Sequence, residues 1–126
     1  MIAEIRQYIE ARPFEPFVIV TSSGLQYEVL QQGTGAMPQL SNRVRVHYRG
    51  MFIDGAEFDS SFARGAPVVF SMTEVIEGWT EALLLMNEGS EFRLAIPPEL
   101  AYGERGRGVI GPNEVLVFTI ELIEVL

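Results

Sequence analysis

The residues that could do chemistry gather in one stretch, VRVHYRGMFIDGAEFDSS (residues 44–61), which holds the only histidine, a tyrosine, two aspartates and a pair of serines. Strand alternation puts Val44, Val46 and Tyr48 on one face and Arg45, His47 and Arg49 on the other, so the apolar set with Tyr48 faces a core. The Asp54-Gly55 pair signals a two-residue type I′ hairpin. With Ile53 opposite Ala56, counting outward sets Gly50 against Asp59, and the Asp59 carboxylate joins Tyr48 on the apolar face, one diagonal step away. Burying a carboxylate and a phenol costs about 1 to 3 kcal/mol for each group left unbonded, so the two must bond each other or something that arrives. Spacing alone admits both a bond that merely fixes the hairpin and a polar wall for a ligand. Phe58 precedes Asp59, and for both to line one cavity the strand must bulge near Phe58–Ser61. A plain core role for Phe58 fits the spacing equally well.

Other chemistries are poorly served. Ser60, Ser61, His47 and Asp59 contain the letters of a hydrolase triad, but there is no G-x-S-x-G elbow and His47 points away from the apolar face, where a solvated strand histidine is expected. With one histidine and no cysteine there is neither a zinc constellation nor thiol chemistry, and no metal or other cofactor is expected. The glycines of Gly33–Gly35 and Gly103–Gly108 match no phosphate-cradling spacing and read as turns. A net charge of −8, with all nine basic residues arginine, argues against a nucleic-acid surface, and the locally basic Arg105–Gly108 reads as a solvated loop.

Positioning these groups falls to short strands, expected over Phe17–Val20, Leu25–Leu30, Arg43–Ile53, Val68–Ser71, Phe92–Ile96 and Val115–Val125. Between them only Gly78–Asn87 reads as a helix, with Gly89 available to end it. The layout is α+β: one short helix against a largely antiparallel sheet. Trp79, the only tryptophan, stands in the first turn of that helix, with Leu83 and Met86 following at helical spacing. It reads either as core filler or as the floor of a gap at the helix end. Backbone amides near Val75 and Ile76, ahead of the helix, are free to bind a ligand carbonyl. Ile2, Ile5 and Ile9 suggest a further short helix stopped before Pro13, so residues 1–21 read as helix and extended connector and 22–126 as one domain. The longest aliphatic run, Ala82–Met86, is far below the roughly 18 residues of a membrane span. The N-terminal stretch, with the acidic Glu4 and Glu10, lacks the apolar run of a secretory signal, so a cytoplasmic location is the default, although a mature secreted chain reads the same way.

The segments SGLQYEVLQQGTG, VRVHYRGMFIDGAEFDSS, EVIEGWTEALLLMNEGSEFRLAIPPELAYG and LVFTIEL together resemble the FKBP-type peptidyl-prolyl cis-trans isomerases, notably the bacterial macrophage infectivity potentiator-like group. The similarity runs from about Ser23 to Leu126. It implies a twisted sheet wrapped around one helix and an enzyme that rotates Xaa-Pro bonds without a cofactor, acting in protein folding on proline-containing polypeptides. It also implies macrolide binding. The implied pocket joins Tyr48, Asp59 and Tyr102 as the catalytic set to Phe58, Val68, Val75, Ile76, Trp79, Ile110 and Phe118 as substrate-binding residues. Trp79 would be the surface on which the proline ring sits, Ile76 would offer an N–H and Tyr102 a hydroxyl. Arg64 matches a family arginine beside the carboxylate. Val68 departs from the aromatic common in relatives, which implies a more open rim and weaker macrolide affinity.

Overall fold

The computed structural model describes residues 18–126, so the expected helix around Ile2–Ile9 and the connector Arg12–Phe17 lie outside the described residues. Seven strands form one sheet: β1 (Val18–Val20), β2 (Gln26–Gln31), β3 (Arg43–Phe52), β4 (Glu57–Ser60), β5 (Val68–Ser71), β6 (Glu91–Ile96) and β7 (Leu116–Val125). Every pairing is antiparallel, in the order β1-β2-β6-β7-β3-β4, with β5 also on β3. β3 therefore runs along β7 on one side and meets two short strands in succession on the other, β5 at Arg43–Val46 and β4 at Arg49–Met51. Its alternation is the one the sequence dictates: Val44, Val46, Tyr48 and Gly50 are buried while Arg43 and Arg49 are exposed.

The two-residue hairpin is not what forms. Gly55 N–H donates to the Phe52 carbonyl and Phe52 N–H to the Ala56 carbonyl, which closes a three-residue loop with Gly55 at φ +94°. Asp54 keeps a negative φ, whereas a type I′ turn needs positive φ at both centres. The pairing near the turn is thus shifted by one residue from the expected Ile53–Ala56. A bulge at Phe58 then restores the count: Met51 pairs with Glu57 but Gly50 with Asp59. The expected Gly50–Asp59 register holds because the two one-residue offsets cancel.

Two helical segments are regular. α1 (Ser61–Arg64) is a single turn capped by the Ser60 hydroxyl, which accepts the Ala63 N–H, and ended by Gly65 at φ +78°. α2 (Glu77–Leu83) is shorter than expected from the sequence. Beyond it Leu85 and Met86 bond back three residues rather than four, to Ala82 and Leu83, because the exposed Leu84 and Leu85 offer no buried face to extend the helix. Gly89 instead turns the chain into β6. α2 presses close to the sheet at Gly78, where an added Cβ would stand 2.6 Å from Ile96 Cγ2. Its buried side chains, Trp79, Ala82 and Leu83, join one core with Val46, Leu94, Ile96 and Ile120. Thr80 Oγ1 ties the helix to the end of β5 through the Met72 carbonyl at 2.8 Å. Among the described residues no helix is long and apolar enough to cross a membrane.

Candidate active site

The gap between the first turn of α2 and the sheet is a cavity of about 560 Å³. Tyr48 of β3, Phe58 and Asp59 of β4, Phe70 of β5 and Phe118 of β7 line its sheet side, and Trp79 of α2 lines it from the helix. Glu74, Val75 and Ile76 from the turn before α2, and Tyr102 and Arg107 from the loop before β7, complete the rim.

Trp79 is 4% exposed and meets three rings edge-to-face: Tyr48 at 5.1 Å, Phe118 at 5.3 Å and Phe70 at 5.4 Å between centroids. Phe58 crosses Phe118 at 5.6 Å and 88°. Such crossings contribute roughly 0.5 to 1.5 kcal/mol each beyond area burial, so the rings of the aromatic wall brace one another. The room for it comes from Gly50, where a Cβ would lie 2.7 Å from Phe58 Cζ and 2.8 Å from Phe118 Cε1. The buried Trp79 Nε1–H has no acceptor among the described residues.

One wall is polar. The Tyr48 hydroxyl donates to Asp59 Oδ2 at 2.5 Å, Arg64 Nη1 donates to Asp59 Oδ1, and Arg64 Nη2 donates to the Tyr48 oxygen at 3.0 Å. Both carboxylate oxygens are therefore engaged. Burial pushes the Asp59 carboxyl up, but the Tyr48 and Arg64 hydrogen bonds outweigh it and hold the group below its ordinary 3.8. Burial and then the Asp59 hydrogen bond push the Tyr48 phenol above 10.0. Neither group is poised to exchange a proton near neutrality. The pairing reached by counting residues is present, and α1 supplies its third member.

The segment before α2 leaves donors free. The Ile76 carbonyl accepts the Trp79 and Thr80 N–H groups, while its own N–H meets no acceptor among the described residues. Tyr102 lies across the loop, its carbonyl accepting the Gly106 N–H at 3.1 Å.

Eight of the ten site residues expected from the sequence line this cavity: Tyr48, Phe58, Asp59, Val75, Ile76, Trp79, Tyr102 and Phe118. Val68 and Ile110 do not. Val68 pairs with Val46 and packs on the core, and the wall at this strand is made by Phe70, two residues on and on the same face. Ile110 is 8% exposed within the core, where it anchors a tight turn whose other end, Arg107, reaches the cavity. Phe70, Glu74 and Arg107 were not expected at the site. The period-two face shared with Val68 is the signal for Phe70, whereas nothing in the loop pattern distinguishes Arg107 from Arg105. His47 faces away from the core as expected but is not simply solvated: its ring stacks on Phe62 of α1 at 4.4 Å and its Nδ1 lies 2.7 Å from Ser61 Oγ. No group of three or more metal-ligating side chains exists among the described residues.

A small antiparallel sheet wrapped on one short helix, with an aromatic cavity at the helix start, defines the class. Residues 35–123 match the profile of the FKBP-type peptidyl-prolyl cis-trans isomerases, and the chain belongs to that family. It is 54% identical over its whole length to the FKBP-type 22 kDa peptidyl-prolyl cis-trans isomerase of Escherichia coli, covering 62% of that protein. It is 48% identical over 94% of its length to the outer membrane protein MIP of Legionella longbeachae, covering 51%. Among solved structures it superimposes on FkpA from Escherichia coli with a TM-score of 0.91 at 46% identity, covering 98% of this chain and 58% of that one. This chain thus spans about half to three-fifths of the length of these relatives. The cytoplasmic location expected from the N-terminal residues draws no support from them, one being an outer membrane protein by name.

Proposed function

We propose that residues 22–126 act as a peptidyl-prolyl cis-trans isomerase domain on proline-containing polypeptides, assisting their folding by non-covalent catalysis. The observation that carries this reading is the aromatic cavity floored by Trp79, beside a carboxylate whose two oxygens are already bonded. Rotation about an amide costs about 18 to 20 kcal/mol because conjugation is broken, and Xaa-Pro bonds exchange over tens of seconds or longer. Reaching milliseconds, a gain of about 10⁴, requires about 5.5 kcal/mol.

Differential solvation can supply that amount. The planar amide is the more dipolar form and is well hydrated, so transfer among the rings of Trp79, Phe58, Phe70 and Phe118 disfavours it relative to the twisted state. Val75 adds an apolar edge. The free Ile76 N–H and the Tyr102 hydroxyl hold the flanking carbonyls, which confines rotation to one bond. Tyr48 and Asp59, braced by Arg64, fix the polar wall and its field and exchange no proton. Macrolides would occupy the same cavity. We place Val68 and Ile110 in support of this wall, Val68 behind Phe70 and Ile110 beneath the Arg107 turn.

The test is NMR exchange spectroscopy on an Ala-Leu-Pro-Phe peptide with catalytic amounts of protein, comparing wild type with Trp79→Ala and Asp59→Ala, each shown to be folded. Wild type is expected to accelerate exchange by several orders of magnitude, and each variant to lose at least about tenfold, the scale of 1.4 kcal/mol. Binding of the peptide with exchange left at its uncatalysed rate would make the cavity a holding site and end the enzyme reading.

A further inference from the structure

Four of the arginines are committed to carboxylates of this molecule: Arg45 to Glu124, Arg49 to Glu57, Arg64 to Asp59 and Arg93 to Glu28. Arg107 differs. It lines the cavity, and no carboxylate among the described residues pairs with it. Its position is not that of a loose loop residue. Arg107 N–H donates to the Ile110 carbonyl at 2.8 Å and Ile110 N–H returns to the Arg107 carbonyl at 2.9 Å, with Gly108 at φ +57° in the turn between them. Because Ile110 is buried in the core, the turn presents Arg107 from a fixed base.

The charge there is set against a chain of net charge −8, which disfavours the approach of acidic peptides. Of the other ionised groups at the cavity, Asp59 is offset by Arg64, and Glu74 is the remaining anion of the rim. A side chain beside a bound proline therefore meets one unpaired cation on the rim. We propose that Arg107 is a specificity-determining residue, drawing substrates that carry a carboxylate side chain next to the proline. The proposal rests on the isomerase reading above and adds the chemical class of substrate that the site prefers.

An exposed pair of this kind is worth about two- to fivefold in a rate ratio, and it weakens as the screening length shrinks from about 30 Å at 0.01 M salt to about 3 Å at 1 M. The experiment measures kcat/KM for two peptide series, Ala-Xaa-Pro-Phe and Ala-Leu-Pro-Xaa, with Xaa as Glu, Gln and Lys. It uses wild type, Arg107→Gln, Arg107→Lys and, as a control in the same loop but off the cavity, Arg105→Gln. In at least one series the Glu-to-Gln ratio should fall two- to fivefold in Arg107→Gln, persist in Arg107→Lys and Arg105→Gln, and shrink with salt in wild type. A ratio that ignores Arg107 in both series, or that falls equally in Arg105→Gln, overturns the assignment. The uncharged Ala-Leu-Pro-Phe peptide separates the two readings, since failure of wild type to accelerate it sinks the isomerase reading itself.

Discussion

Replacing Gly50 by alanine puts one methyl group behind the aromatic wall. Its Cβ would lie 2.7 and 2.9 Å from Phe58 Cζ and Cε1 and 2.8 Å from Phe118 Cε1. Carbon atoms rest at about 3.5 to 4.0 Å, so each ring must retreat by roughly 1 Å. Phe118 is 5% exposed and backs edge-on against Trp79 at 5.3 Å, which leaves little room for it to move. The open direction is into the cavity. Overpacking of this kind costs about 1 to 3 kcal/mol of stability. A misplacement of about 1 Å at a positioned site costs up to about 10²-fold in rate. Urea unfolding should therefore show a loss of about 1 to 3 kcal/mol, and peptide exchange under folding conditions a fall of about 10- to 100-fold. Gly55→Ala is the counterpart: no atom lies within 4 Å of its Cβ, but its φ of +94° is strained for any side chain, so stability should fall while exchange is preserved. Full activity and unchanged stability in Gly50→Ala would refute the argument that this glycine makes room for the wall.

Ser61 Oγ accepts the Tyr48 N–H at 2.7 Å and is fully buried, so Ser61→Ala should lower stability in urea by about 1 to 3 kcal/mol by leaving that donor unsatisfied. The pH dependence follows from the polar trio. With Asp59 held below 3.8 and Tyr48 raised above 10.0, no proton joins or leaves that pair near neutrality, and kcat/KM should be flat from about pH 5 to 9. The stabilisation that Asp59 contributes is complete above 3.8, the unfolded-state value, and is lost as pH falls through its lower folded value, so denaturation scans should show it only below about pH 4. A titration midpoint near 7 in the Asp59-dependent activity would contradict this account.

Period-two patterning carried most of the architecture. Val44, Val46 and Tyr48 declared the core face of β3, and Asp59 could be placed by counting. That count succeeded through cancellation, because the glycine-ended loop adds a residue to the hairpin and the bulge at Phe58 takes it up. Hydrophobicity does not encode turn type, which depends on the φ that Asp54 adopts. Phe70 was within reach, since it shares the Val68 face and lies opposite Val44. Val68 is implied by the family resemblance and not by the periodicity, whereas it is the longer Phe70 side chain that joins the aromatic cluster, its ring centroid 6.0 Å from that of Tyr48 and 5.4 Å from that of Trp79. That Arg107 lines the cavity while Ile110 is buried in the core follows from a tight turn that no periodicity reports. The aromatic floor at Trp79 and the flanking Val75 and Ile76 were legible because a helix start fixes its neighbours over a few residues.

The position of β7 has a kinetic meaning. It is the last strand along the described chain, yet it lies between β6 and β3 and pairs with both. Tyr48, Asp59 and Arg64 fall within one short hairpin-and-turn segment, whose closure costs little chain entropy. The Trp79–Phe118 crossing, by contrast, joins segments far apart in sequence. During synthesis the polar trio can meet while the sheet is still split into two unconnected parts, and the hydrophobic cage waits for the strand that joins them. Contacts this non-local slow folding. Until β7 inserts, β3 and β6 expose unpaired edges, and the emerging chain itself passes through an interval in which it is prone to associate with other strands.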